Sequence, residues 1–203
     1  MKITIITEFF PSQKSLDIHG GIEARTFAFA QSLAQKHTVV IITSYEKGKP
    51  RKQVLNNIFV HRVGPQRVYG RNNAIFPRLL FTFHAFWKAL LTKPDIIEGA
   101  GFFGYIPAYF ASFINRSKRT ILIADTVESY VTDVSPVIKF LLSFIERFIF
   151  FLTWDAYICI SHTVAKKIFQ EHKENKKIHI VYCGVDSNLV EKVKTKKTPQ
   201  KTI

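Results

Sequence analysis

Two glycines stand where a strand-like run hands over to a helical one. Lys2-Ile3-Thr4-Ile5-Ile6-Thr7 leads through a loop to His19-Gly20-Gly21-Ile22-Glu23, and a helical pattern begins at once. Glycine lets the backbone come close to a ligand. The helix N-terminus behind it offers unpaired N–H groups and partial positive charge, which suit a phosphate or a carboxylate. The alternative is a plain connecting turn. Glu23 also suits the first-turn position, where a negative charge complements the helix dipole. A second cluster, Gly99-Ala100-Gly101-Phe102-Phe103-Gly104, spells G-x-G-x-x-G between strand-like Ile96-Ile97 and a helix, with Asp125 about 20 residues on. That pattern fits a dinucleotide site in which Asp125 grips a ribose hydroxyl. Against it, the leading strand is short, Glu98 would sit beside a pyrophosphate, and the cluster falls mid-chain. Asp125 and Glu128 are carboxylates at the end of a strand, suited either to general-base work or to helix capping.

The elements that must position these residues alternate along the chain. Strands are expected near 2–7, 38–43, 58–63, 95–98, 119–124, 156–160 and 178–182, and helices near 21–36, 77–92, 103–114, 136–152 and 162–172. Val39-Val40-Ile41-Ile42 and Thr120-Ile121-Leu122-Ile123 are apolar or β-branched throughout, the pattern of parallel strands covered on both faces. The alternation predicts an α/β fold, a doubly wound, Rossmann-like parallel sheet. In such a sheet ligands bind beyond the carboxyl ends of the strands. Those ends are the Gly20-Gly21 loop, the loop from Glu98 to Gly104, the stretch Asp125-Thr126-Val127-Glu128, and Ser161-His162.

At 203 residues the chain suits one sizeable domain, and 47% hydrophobic against 22% charged residues is a globular composition. Cys159 and Cys183 form neither a metal-ligand spacing nor a disulfide framework, so reduced thiols, no metal and a cytoplasmic setting are expected. The N-terminus has no signal-peptide pattern. The longest charge-free stretch, Gly99 to Asn115, has 17 residues with three glycines and Pro107, short of the roughly 20 needed for a membrane span.

The net charge of +14 is uneven. From Lys47 to Pro94 there are ten basic residues and no acid, interleaved with Phe76, Phe81, Phe83, Phe86 and Trp87. This composition suits an anionic membrane surface. Nucleic acid ranks last as a partner, because charge alone supports it and no recognition motif accompanies it. The residues from Glu191 to Ile203 hold five lysines and little apolar material, as a frayed end would.

Taken in order, several motifs carry a family signature. They are Phe10-Pro11, Gly20-Gly21-Ile22-Glu23, Ser32-Leu33-Ala34-Gln35-Lys36-His37-Thr38-Val39, Lys93-Pro94-Asp95-Ile96-Ile97, Ile121-Leu122-Ile123-Ala124-Asp125, Asp155-Ala156-Tyr157-Ile158-Cys159-Ile160-Ser161, Lys177-Ile178-His179-Ile180-Val181 and Cys183-Gly184-Val185-Asp186. The set resembles the N-terminal, acceptor-side domain of family-4-like glycosyltransferases of the GT-B architecture, over residues 1–187, with 188–203 as a basic tail. The resemblance implies a retaining transferase with a nucleotide-sugar co-substrate, no further cofactor, and a lipid-linked or envelope glycan as acceptor. It implies donor or acceptor contacts from His19, Gly20, Gly21, Glu23, Glu128 and Ser161, and a catalytic contribution from Asp125. It also implies a membrane-facing set of Arg67, Arg71, Arg78, Trp87 and Lys88, for a protein peripheral to the inner face of a membrane. Many members carry a histidine where this chain has Ala124. The family's donor domain would follow a motif like Cys183-Gly184-Val185-Asp186, yet only 17 residues follow Asp186. A chain inactive alone, completed by a separate donor-domain protein, is therefore expected. Two other readings are a non-catalytic module for a membrane surface or a partner protein, and an NAD-type dinucleotide-binding protein.

Overall fold

The computed structural model describes residues 1–12, 17–68, 75–124, 136–172 and 177–182. Eight strands form one sheet: β1 (Lys2–Thr7), β2 (Thr38–Glu46), β3 (Lys52–Leu55), β4 (Ile58–Arg67), β5 (Ile96–Ala100), β6 (Arg119–Ala124), β7 (Ala156–Cys159) and β8 (Ile178–Ile180). Their order is β3-β4-β2-β1-β5-β6-β7-β8, parallel except for the β3–β4 pair. β1 is central, with Ile3 opposite Val39 on one side and Ile96 on the other. The helices are α1 (Gly21–Ala34), α2 (Ile75–Thr92), α3 (Phe102–Asn115), α4 (Pro136–Phe151) and α5 (His162–His172). This is the expected doubly wound α/β domain.

β3 was not among the expected strands. It is four residues long, partly polar and mostly uncovered, so it lacks the apolar run that marks the others. Asn56 and Asn57, both with positive φ, turn it back onto β4. Paired residues of that type at positive φ are what a two-residue hairpin needs.

Burial on both faces explains the apolar strands. On one face Ile6, Ile42, Ile97, Leu122 and Tyr157 pack beneath residues of α2, α3, α4 and α5, including Phe81, Ala85, Tyr105, Ala108, Ile149, Phe150 and Ile168. On the other, Ile5, Ile41, Val60 and Ile123 pack beneath Phe27 and Ala30 of α1 and Phe10 of the loop after β1. α3 lies tight against the centre. A Cβ on Gly104 would collide with the Ile6 carbonyl of β1. Pro107 inside α3 has no N–H for the Phe103 carbonyl, and Thr82 Oγ1 of α2 lies 3.4 Å from that carbonyl and 3.1 Å from the Arg78 carbonyl, which share its one proton.

Candidate functional site

The chain leaves β1 toward β2 and β4 on one side and later returns to β5, β6 and β7 on the other. β1 and β5 therefore flank the point where the winding reverses, and their carboxyl ends open the crevice in which such sheets bind ligands. The helices α1 and α3 start there. Gly20 and Gly101 are their N-caps, and neither start has a side-chain cap. The first-turn amides of both helices thus lack the side-chain oxygen that commonly satisfies them.

Gly20 is extended (φ −143°, ψ 158°), a conformation open to any residue. At Gly21, a Cβ would meet nothing within 4 Å. Neither backbone strain nor packing explains a glycine at position 21, where it weakens the helix start. The second cluster is different. Gly101 has φ +76°, and Gly99 and Gly104 lie where a Cβ would press on Tyr105 and Ile6. That G-x-G-x-x-G spacing is accounted for by the turn and by α3 packing on β1.

A buried charge network holds the loop after β1. Glu23 Oε2 accepts the His19 backbone N–H at 2.9 Å, so this carboxylate ties the Gly20-Gly21 approach to α1. Lys49 Nζ lies 2.9 Å from Glu46, 3.4 Å from Asp17 and 4.0 Å from Glu23. Arg62, buried, donates to the Phe10 and Pro11 carbonyls at 3.4 and 2.9 Å and to Gln53 Oε1 at 3.1 Å. Burial raises the Glu23 carboxyl above its ordinary range, while the His19 amide and Lys49 pull it down. Glu23 therefore positions the loop from beneath.

At the carboxyl end of β4, Arg67 Nη2 lies 2.7 Å from Glu8 Oε1 and its guanidinium covers Phe9. Arg78 Nε lies 3.0 Å from the same oxygen and covers Phe103. The residues of the expected membrane-facing set are placed differently from one another. Arg67 is buried and Arg78 half-buried, because an acid outside the basic segment, Glu8, draws both to the sheet edge. Lys88 is half-buried, and burial lowers its pKa, with Lys52 and Lys2 nearby adding to the effect. Of that set Trp87 alone is well exposed, and Arg71 lies outside the described residues. Lys49 and Arg62, counted in the same segment, also point inward. Glu46, Asp17 and Glu23 around Lys49, and the Phe10 and Pro11 carbonyls around Arg62, all lie before residue 47, which is why reading the segment by itself missed them.

Ser161 caps α5, its Oγ accepting the Val164 N–H at 3.3 Å. Asp125, Glu128 and Cys183-Gly184-Val185-Asp186 lie outside the described residues, as does the stretch from Glu191 to Ile203. Two groups that the sequence showed, but whose burial it did not reveal, lie on β5 and β7. Glu98, only 2% exposed on β5, has its carboxyl pushed up to about 8 by burial, with Arg25 of α1 pulling it back. Cys159, also buried, has its thiol pushed up to about 11, away from the reactive thiolate.

Comparison with known proteins gives this geometry a family. No curated protein matches the chain. Among solved structures, sucrose-phosphate synthase from Thermosynechococcus elongatus superposes with a TM-score of 0.65 at 12% identity, over 93% of this chain and 49% of that one. HepE from Anabaena, solved with UDP-glucose, gives 0.59 at 15% identity, over 93% and 45%. The lipopolysaccharide outer core galactosyltransferase WaaB gives 0.55 at 14%, over 92% and 46%. The chain thus spans about half the length of these proteins, and at such identities the likeness is one of fold. The sequence model of Glycosyltransferase Family 4 matches residues 19–189, most of the chain, and on that match the chain belongs to this family.

Proposed function

We propose that this domain forms the acceptor-side wall of a sugar-transfer site and that the start of α1 receives the diphosphate of a nucleotide-sugar. The observation that carries this reading is Gly21, a glycine with open space before it at an uncapped helix end on the sheet's switch point. Amides fixed there can hydrogen-bond a diphosphate without reorganising, and the dipole of α1 favours its charge. HepE is solved with UDP-glucose, which supports a nucleotide-sugar as the ligand class. Asp125 would assist the acceptor hydroxyl, and a lipid-linked or envelope glycan would supply that hydroxyl. The opposite wall is assigned to a donor-binding domain, on the same polypeptide or a separate one. Without it, donor and acceptor are not held in reacting geometry.

The test pairs the 203-residue chain with its cognate donor domain in trans and follows transfer of a labelled sugar. Transfer is expected only from the pair, and Gly21→Val is expected to fold normally yet lower transfer at least tenfold by filling the open space. Turnover by the chain alone, or full activity of Gly21→Val in the pair, would overturn the reading.

A further inference from the structure

A cavity of about 560 Å³ opens at the far end of the sheet from the crevice, between the last turn of α3, the start of β6 and the segment after α4. Thr120 in its wall stands about 13 Å along β6 from Ala124 at the carboxyl end. The size is that of a small-molecule site. Tyr109, Ser112 and Phe113 fall three and four residues apart, so one face of α3 supplies the longest wall. The walls are braced. Asp155 Oδ2 accepts the Thr120 N–H at 2.7 Å, and the Asp155 N–H returns to the Thr120 carbonyl at 3.0 Å. Trp154, fully buried, has its ring 5.3 Å from that of Tyr109. A cavity already formed needs little reordering to take a ligand.

The wall mixes acceptors with donors. Thr120 Oγ1 donates to Ser112 Oγ at 2.7 Å, and Ser112 Oγ donates to the Tyr109 carbonyl at 2.8 Å. Both protons are spent, and lone pairs remain. The Lys118 N–H goes to the Asp95 carbonyl at 2.8 Å in place of the Ile114 carbonyl, which leaves an acceptor in the last turn of α3. On the donor side, the exposed Arg116 guanidinium has no ion pair among the described residues. Ser117 Oγ is buried beside the cavity without a hydrogen-bond partner among them, a cost that a ligand hydroxyl removes. Charge disfavours either kind of ion, because the C-terminal end of α3 repels an anion and Arg116 repels a cation. What remains is a neutral molecule whose groups both donate and accept, as hydroxyls do. Tyr109 and Phe113 add aromatic rings, which offer the C–H face of a sugar an apolar surface.

We propose that this cavity binds a neutral sugar residue, at a site separate from the crevice at the carboxyl ends of the strands. The rings pack on one face of the sugar, while Thr120, Ser117 and Arg116 exchange hydrogen bonds with its hydroxyls. It stands independently of the sugar-transfer reading, since α1 and its glycines lie over the other face of the sheet.

The experiment follows amide chemical shifts of the 203-residue chain with glucose, galactose and N-acetylglucosamine as probes, beside glucose 6-phosphate and protonated glucosamine. At least one neutral sugar is expected to shift the amides from Ser112 to Thr120 and that of Thr153, with a Kd in the millimolar range. The charged analogues are expected to bind more weakly. Arg116 has a left-handed backbone (φ 50°, ψ 45°), so Arg116→Gly removes the guanidinium without straining the fold. That variant and Phe113→Ser, at a residue 77% exposed, are each expected to weaken binding by about fivefold or more. Thermal unfolding should be unchanged or, for Arg116→Gly, raised. No shift from any neutral sugar at about 50 mM overturns the proposal. So do shifts confined to the neighbourhood of Gly21 and Gly101, tighter binding of a charged analogue than of the neutral sugars, or either variant binding like the parent.

Discussion

Glu98 is a carboxyl in the middle of a central strand, and its surroundings decide its charge. Burial raises its pKa from 4.5 to about 8, against the pull of Arg25, so it is largely neutral at pH 7. The fold therefore binds a proton there that the unfolded chain releases above pH 4.5. Stability from this group is fully present below pH 4.5, falls as pH rises, and is lost once pH passes about 8. The slope in that window is at most about 1.4 kcal/mol per pH unit. Glu98→Gln keeps the shape and removes the titration. Urea unfolding from pH 5 to 9 should show the variant more stable than the parent at the alkaline end by about 2 kcal/mol or more. The two should converge toward pH 5, and superimposable curves would refute the assignment. At this scale the sequence was partly legible. Glu98 was visible only as an awkward neighbour for a pyrophosphate. Glu23 was legible as a first-turn acid, but not as the acceptor of the His19 amide, because that bond depends on how the loop after β1 folds back. The pairing of Glu8 with Arg67 joins residues 59 positions apart, a relation no local pattern carries.

Elements were far more legible than their charges. Period and apolarity located seven strands and five helices because a parallel sheet with helices on both faces imposes those patterns directly. They missed β3, whose signal is its Asn56-Asn57 turn and not its own residues. The glycines separate structure from function at this scale. Gly104 lies in the first turn of α3, where even one methyl group would meet the Ile6 carbonyl. Gly104→Ala must push α3 off β1, and chemical denaturation should register a loss of about 3 kcal/mol. Gly21→Ala, at the start of α1, meets nothing within 4 Å and should leave stability unchanged or raised by up to about 1 kcal/mol. If the two substitutions cost the same, the contrast between a packing glycine and an access glycine is wrong.

Across the whole molecule, burial is graded along the sheet, and the grade bears on where a site can be built. β1 and β2 have runs of fully buried residues, and β5 is buried from Ile97 to Ala100. β8, at the far edge, has three residues, none of them buried. Opening β8 uncovers little apolar surface, whereas opening β1 or β5 dismantles both halves of the core. The ends of β1 and β5 are also where α1 and α3 start, so the candidate cleft stands on the part of the fold that opens last. A diphosphate site gains from that placement, because amides that do not move need no reordering when a ligand arrives. Native-state hydrogen exchange measures the gradient. Amides of Ile5, Ile41 and Ile97 should exchange only through global unfolding, with a denaturant dependence matching that of the whole chain. Those of β8 should exchange through local opening, at least a hundredfold faster and nearly independent of denaturant. Equal protection at Ile5 and Ile180 would mean that the sheet opens as one unit and that the switch point has no stability of its own to lend the site.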